Sequence, residues 1–169
     1  MIILGLYNGH NAAACVMKDG QILINWELER FSRIKHDYGF NQAFLDKTLE
    51  HCNITFDDID LIITNSQNFK RPPPWKVPST AVNYLESFMI NNKQAYALNH
   101  HLAHIASAYY TSPFNEATII TQDGGGDDEN FSYGTAQDNH ITGFTPGRVR
   151  NIAAYWSGIT LNNYRMPRL

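Results

Sequence analysis

Three short apolar runs separated by glycine turns constrain the fold of this chain more than any other feature of its sequence. The first run, MIILGLY, ends at Asn8-Gly9, and the second, AAACVM, continues into Asp19-Gly20. The third run is QILINWELERF. An Asp-Gly pair between two apolar runs is typical of a tight β-hairpin. Residues 1 to about 35 are therefore predicted to form a three-stranded antiparallel meander.

Helical and strand patterns alternate along the rest of the chain. The spacing of apolar residues predicts helices over four segments: 41–53, 80–90, 101–110 and 149–161. Short apolar runs predict buried strands over 59–64, 95–100 and 117–123, and a hairpin around Asp138-Asn139. Three consecutive prolines place segment 68–79 in a loop. We expect 59–64 and 117–123 to join the meander in one mixed sheet, an α/β fold with helices on both faces.

Bulk composition excludes several classes of protein. With 169 residues, the chain is long enough for one domain with a real core, and its net charge of −3 gives no reason to expect nucleic acid as a partner. Cys15 and Cys52 are expected to be reduced, buried thiols, since no CxxC motif indicates zinc. No apolar run approaches about 20 residues, and the N-terminus does not resemble a signal peptide. A soluble, cytoplasmic protein without a membrane partner is expected.

His10 lies in a turn, Asn8-Gly9-His10-Asn11, directly after the first predicted strand. A glycine turn brings the backbone close to a ligand, and a histidine there can act as a base or contact a phosphate. A plain turn histidine is the alternative that the residues alone favour.

Three cations lie within six positions at the end of the third predicted strand: Arg30, Arg33 and Lys35. Converging cations of this kind can clamp a phosphate. A solvated, charge-balanced strand end is the alternative reading of the same stretch.

His100 and His104 are four residues apart at the start of the next predicted helix, which places them on one face. Two imidazoles at this spacing, together with a carboxylate, are a frequent metal-ligand set. His101 points about 100° away from that face and is expected to be a bystander or a hydrogen-bonding residue. Asp123, at the end of the following strand, can supply the carboxylate; an acidic turn is the alternative.

Taken in order, these clusters resemble the N-terminal half of carbamoyltransferases of the nodulation-protein-U and cephalosporin-hydroxymethyl type. The resemblance spans residues 2 to about 135 and is carried by four stretches: NGHNAAACVMKDG, ELERFSRIKHD, NHHLAHIASAYYTSPF and TQDGGGD. The same core resembles the tRNA threonylcarbamoyladenosine transferases. It therefore implies a ribonuclease-H-like half of an actin/hexokinase/Hsp70-like ATPase fold. Where the family usually has aspartate after the turn histidine, this chain has Asn11.

The resemblance also implies a reaction and its cofactors. His100, His104 and Asp123 match the family's ligands for one divalent metal, iron(II) by expectation, with zinc or manganese as alternatives. His10 and Lys35 match residues at the carbamoyl and phosphate end of the site. The implied reaction moves a carbamoyl group from carbamoyl phosphate to a hydroxyl, through a carbamoyl-adenylate made with ATP.

The resemblance further implies that residues 1–169 are one domain, the first half of a carbamoyltransferase domain. The second half, which supplies a further aspartate ligand, and the adenylate-forming domain lie outside this chain, so a missing half or a partner chain is expected. The acceptor is expected to be a small molecule or sugar with a hydroxyl, and a homo-oligomer is left open. The alternative function is a non-catalytic half domain that binds a nucleotide or a partner.

Overall fold

The computed structural model describes residues 1–39, 41–65, 80, 84–127 and 129–149. The chain divides into two compact units, Met1–Asn99 and His100–Leu169. The proline-rich segment 68–79, and all but the first residue of the helix predicted over 149–161, lie outside the described residues. In the part of the chain that is described, no helix is long and apolar enough to cross a membrane.

The first unit contains a six-stranded mixed sheet with the order β3-β2-β1-β4-β6-β5. Strands β1 to β3 form the predicted antiparallel meander, β4 lies parallel to β1, and β6 lies parallel to β4. An antiparallel meander followed by parallel strands is the sheet order expected of a ribonuclease-H-like fold, and the fold class is mixed α/β as predicted. The strands are β1 (Ile2–Tyr7), β2 (Ala13–Lys18), β3 (Gln21–Glu27), β4 (Leu61–Asn65), β5 (Leu85–Ile90) and β6 (Lys93–Leu98).

Two helices follow the meander. The third strand ends at Glu27, earlier than predicted, and a short helix α1 (Glu29–Ser32) takes up the remainder of that apolar run. Helix α2 (Gln42–His51) begins where the Asn41 side chain accepts a hydrogen bond from the backbone N–H of Phe44. Its apolar face packs on the sheet in a core of buried side chains: Leu4, Leu6, Val16, Phe44, Leu45, Leu49 and Ile62.

The helix predicted over 80–90 is wrong, because residues 85–90 form strand β5. Burial along β5 alternates with a period of two residues, as it does in a strand with one covered face. Asn91 and Asn92 both have positive φ, of 46° and 64°. This is the backbone of a two-residue hairpin turn, and it pairs β5 with β6.

The two cysteines lie in the first unit, and both are free. Cys15 and Cys52 are half-buried, and burial raises the pKa of each thiol. Both are therefore protonated, weakly reactive thiols at neutral pH.

The second unit consists of helix α3 (His100–Tyr110) and three strands: β7 (Glu116–Gly126), β8 (Glu129–Gln137) and β9 (His140–Gly147). Segment 117–123 is a strand as predicted, but its expected place in the first sheet is wrong, since β7, β8 and β9 form a separate antiparallel sheet. The connections between these strands are very short, so each pairs with its neighbour in sequence. The hairpin predicted around Asp138-Asn139 joins β8 to β9.

Helix α3 lies closely against this second sheet. Ile105 and Tyr109 are buried against Ile119 and Ala136. A Cβ atom added at Gly134 would stand 2.8 Å from the backbone oxygen of Gly143 on β9 and 2.8 Å from Cδ1 of Ile105 on α3. Glycine at this position therefore permits the close packing of β8 against both neighbours.

Candidate functional site

His100, His104 and Asp123, which we call the helix triad, come together in the second unit. Nε2 of His100 lies 2.6 Å from Oδ2 of Asp123, and Nε2 of His104 lies 3.1 Å from the same oxygen. The two imidazole nitrogens are 3.0 Å apart. The helix thus presents both rings on one face, as their spacing indicates, and β7 places a carboxylate oxygen next to both ring nitrogens.

The helix triad fits a divalent metal ion. Ligand atoms that lie about 2.1 Å from an ion, at right angles to each other, are about 3.0 Å apart. The separations of 2.6, 3.0 and 3.1 Å are close to this value. Two imidazoles and one carboxylate on one face of an ion form the arrangement found in many non-haem iron sites, which leaves other positions open. The His104 side chain is 45% exposed, so the ion would be accessible from solvent.

Asp123 is oriented by an irregular stretch of β7. Pairing with β8 shifts register between Gln122 and Gly126, and Gly125 adopts a φ of 135°, which favours glycine. The Gly125 backbone N–H donates to Oδ1 of Asp123 over 2.6 Å. Burial by itself raises the pKa of the Asp123 carboxyl. Hydrogen bonds from His100, Gly125 and His104 outweigh that effect and hold the pKa below its ordinary value, which keeps Asp123 ionised as a metal ligand must be.

His101 is buried beneath the helix triad. Its Nδ1 lies 2.8 Å from Oγ1 of Thr121, which lies 2.6 Å from Oγ of Ser132. Its Nε2 lies 3.8 Å from Oδ1 of Asp123. Of the two roles expected for His101, the structure shows the hydrogen-bonding one, and the ring lies beside the cluster. Thr121 and Ser132 were not predicted as site residues, although both are small polar residues in segments predicted as strands, and they face each other across β7 and β8.

Asp127 ties the glycine-rich end of β7 to the start of α3. Its Oδ2 accepts a hydrogen bond of 2.8 Å from the backbone N–H of His100. This bond satisfies one of the N–H groups that a helix leaves unpaired at its N-terminus. The contact therefore fixes the first ligand-bearing residue of α3 against the strand that carries Asp123.

In the first unit, His10 belongs to a second group, His10, Asn11 and His36, which we call the turn cluster. Nδ1 of His10 lies 3.0 Å from Oδ1 of Asn11, and Nδ1 of His36 lies 3.1 Å from the same oxygen. Both histidines are exposed. His36 was missed as a site residue, although its place next to Lys35 at a strand end was an indication.

The three predicted cations lie on the connection between β3 and α2, and all are exposed. Arg30 lies 3.5 Å from a carboxylate oxygen of Glu29 in the same short helix, and Arg33 ends that helix with a φ of 60°. Lys35 adjoins His36 and is thereby placed near the turn cluster. All three cations follow the end of β3, which pairs with the start of β2 close to His10 in the sequence.

The sequence of this chain is similar to one protein family and to several known proteins. Residues 75–163 match the family model described as Carbamoyltransferase N-terminus. That range includes the whole helix triad and none of the turn cluster. An uncharacterized protein of Methanocaldococcus jannaschii is 32% identical over 142 residues, which cover 83% of this chain and 25% of that protein. Nodulation protein NolNO of Sinorhizobium fredii is 27% identical over 135 residues, which cover 70% of this chain and 20% of that protein.

The chain spans only a fifth to about a third of the length of the curated relatives that it matches. Among solved structures, YeaZ from Pseudomonas aeruginosa has a TM-score of 0.42 and 12% sequence identity, over 99% of this chain and 81% of that one.

Proposed function

Because this chain belongs to the carbamoyltransferase family, we propose that it supplies the metal-binding and donor-binding parts of an enzyme that transfers a carbamoyl group to a hydroxyl. The observation that carries the proposal is the helix triad, three ligand atoms within 4.8 Å of one another inside the range that matches the family model. The second half of the domain and an adenylate-forming domain are proposed to lie on a longer protein or a partner chain.

His100, His104 and Asp123 are the residues proposed to hold one divalent ion, with iron(II) first and zinc or manganese as alternatives. When bound, the ion supplies a Lewis acid that polarises oxygens of the carbamoyl donor. Asp123 contributes a negative charge and the histidines contribute neutral nitrogen ligands, a donor set that suits all three metals. The exposed side of His104 leaves room for a donor molecule to approach.

The first unit is proposed to bind the donor and to remove a proton. Lys35, together with Arg30 or Arg33, neutralises charge on the donor's phosphate. His10 accepts the proton of the acceptor hydroxyl as a general base. The hydroxyl oxygen forms a bond to the carbamoyl carbon, and the bond from that carbon to the adenylate oxygen breaks, which releases AMP. Carbamoyl phosphate and ATP are the proposed sources of the adenylate.

Metal binding tests the part of this proposal that the chain can carry alone. The metal-free chain, titrated anaerobically with iron(II) and separately with Mn²⁺ or Zn²⁺ in a calorimeter, should bind one ion. No binding of any of the three metals, or a stoichiometry well above one, would contradict it.

Donor binding provides the second test. Lys35→Ala should raise the Kd for AMP, which carries the phosphate of the proposed carbamoyl-adenylate donor, by about tenfold, the effect of one lost charged hydrogen bond. Lys18→Ala is the matched control. Lys18 ends β2 and pairs with Ile2 at the start of β1, whereas His10 follows the end of β1. Equal binding by both variants and the unaltered chain would exclude Lys35 as a phosphate ligand.

A further inference from the structure

The turn cluster places two imidazole nitrogens on a single amide oxygen. Nδ1 of His10 and Nδ1 of His36 lie 3.0 and 3.1 Å from Oδ1 of Asn11. A carbonyl oxygen has two lone pairs and can accept one N–H from each ring. With both bonds formed, each ring carries its proton on Nδ1, and Nε2 of each is left as an acceptor.

Backbone contacts hold the two turns of this cluster side by side. The backbone N–H of Ala12 donates to the carbonyl oxygen of Asp37 over 3.0 Å, and His10 and Tyr38 form an isolated β-bridge. The backbone N–H of His36 donates to Oε2 of Glu29 over 2.9 Å. His36 is therefore fixed at its backbone as well as at its ring.

Asn11 and His36 both adopt left-handed backbone conformations, with φ of 61° and 57°. Asparagine and histidine are both among the side chains that enter this region more often than others. Here the left-handed conformation of His36 coincides with the contact that brings its ring to Asn11.

We propose that Asn11 and His36 are positioning residues that hold His10 in its Nδ1–H tautomer, with Nε2 presented as the proton acceptor. Oδ1 of Asn11 accepts a hydrogen bond from the Nδ1–H of His10. His36 donates to the same oxygen and so prevents the amide from rotating its NH₂ group towards His10. The use of this nitrogen as the base for the acceptor hydroxyl rests on the proposed function, whereas the tautomer itself does not.

Two carboxylates on the connection that carries His36 each have partners of their own. Glu29 receives the backbone N–H of His36 and lies 3.5 Å from Arg30, which offsets its charge. Asp37 is buried, and its carboxylate accepts the backbone N–H of Tyr38. The group in contact with both rings is thus the neutral amide of Asn11.

Ring nitrogens of the ¹⁵N-labelled chain report the tautomer directly in long-range ¹H–¹⁵N spectra. These are recorded about two pH units above the ordinary histidine pKa, with the signals assigned through His10→Gln and His36→Gln. In the unaltered chain His10 should be mainly Nδ1–H. Asn11→Gly, which removes the amide yet tolerates a positive φ, should lower the ratio of Nδ1–H to Nε2–H about fivefold, the effect of one ordinary hydrogen bond.

Asn91→Gly is the matched control, since Asn91 also has a positive φ. It precedes β6, which runs in the same direction as β1, so it lies at the opposite end of the strands from His10. It should leave the tautomer of His10 unchanged. An Nε2–H tautomer for His10 in the unaltered chain, or equal ratios in the chains with and without Asn11, would overturn the proposal.

His36 is tested by two variants. His36→Ala should lower the Nδ1–H fraction of His10, and His36→Asn should restore it, because the asparagine amide can donate from nearly the same position and accepts a positive φ. A His10 tautomer that is indifferent to His36→Ala in a folded chain would overturn the role of His36. These spectra require no metal, donor or turnover, so their failure and failure of the proposed function are separate results.

Discussion

The helix triad and the turn cluster each gather two histidines around one oxygen, but the backbone supports them differently. In the helix triad, both rings come from successive turns of α3, and the oxygen comes from the adjoining strand. In the turn cluster, the rings come from two separate connections at the end of the first sheet. The first arrangement depends on a helix packed against a sheet. The second depends on left-handed backbone at two residues and on contacts between two loops.

The oxygen that each pair of rings shares determines what the pair can do. Oδ2 of Asp123 belongs to a carboxylate, whose charge attracts a cation into the space between the rings. Oδ1 of Asn11 belongs to an uncharged amide, which accepts ring protons and offers a cation little attraction. We therefore propose ion binding for the helix triad and a fixed tautomer for the turn cluster.

The largest expected effect separates the two clusters by metal affinity. His104→Ala removes one of three ligands and should weaken binding of Zn²⁺ by more than about 100-fold, above the loss typical for residues that only support a ligand. His10→Ala should change the Kd less than about twofold. Titration calorimetry on both variants measures this difference, and a comparable loss from His10→Ala would end the distinction between the clusters.

The close approach of α3 to its sheet gives the next effect. Gly134→Ala introduces a Cβ atom 2.8 Å from both the backbone oxygen of Gly143 and Cδ1 of Ile105, and should lower the free energy of unfolding by about 1–3 kcal/mol. Gly124→Ala is the control within the same sheet, because a Cβ atom there has no other heavy atom within 4 Å. Urea unfolding followed by circular dichroism compares them, and equal stabilities would show that the packing around Gly134 is not tight.

The buried support of the helix triad predicts a smaller effect. Thr121→Val keeps the branched shape but removes the hydroxyl that His101 contacts, so the ring beside Asp123 loses one constraint. We expect about a tenfold weaker affinity for Zn²⁺, at the lower end of the losses seen for residues behind metal ligands. Thr118→Val, on the opposite and exposed face of β7, should leave the affinity unchanged. Identical affinities for the two variants would remove His101 from the support of the site.

The smallest effect concerns the start of α3. Asp127→Ala removes the side chain that accepts the backbone N–H of His100, and should cost about 1 kcal/mol of stability, as the loss of a helix cap does. Thermal unfolding measures this loss. Asp138→Ala is the control. Asp138 lies in the turn between β8 and β9 with nearly the same positive φ as Asp127, but its carboxylate does not accept the N–H of His100. A loss no greater than that of the control would show that the Asp127 contact does not hold the helix.

Regular periodicity explains which parts of the site could be predicted from the sequence. The spacing of His100 and His104 fixes a common face once the segment is helical, and a strand that returns beside the helix brings Asp123 to them. The turn cluster has no such period. The contact between residues 11 and 36 depends on two residues with left-handed backbone and on hydrogen bonds between two loops. Residues adjacent in the sequence do not specify such contacts.

The errors in the fold prediction have the same physical origin. Leu85, Phe88 and Met89 are compatible with either a helix or a strand, and the two-residue turn at Asn91-Asn92 decides for a strand by pairing β5 with β6. Segment 117–123 was recognised as a strand, but local spacing does not say which sheet it joins. Its pairing with β8 places it in the second sheet.

X-ray absorption spectroscopy of the Zn²⁺-loaded chain tests the metal site most directly. The helix triad predicts two imidazole nitrogens at about 2.0–2.1 Å and oxygen ligands at about 2.0–2.2 Å, with the second imidazole lost in His104→Ala. A sulfur ligand at about 2.3 Å, which only Cys15, Cys52 or a methionine could supply, would contradict the assignment. So would a spectrum with one imidazole or none in the unaltered chain.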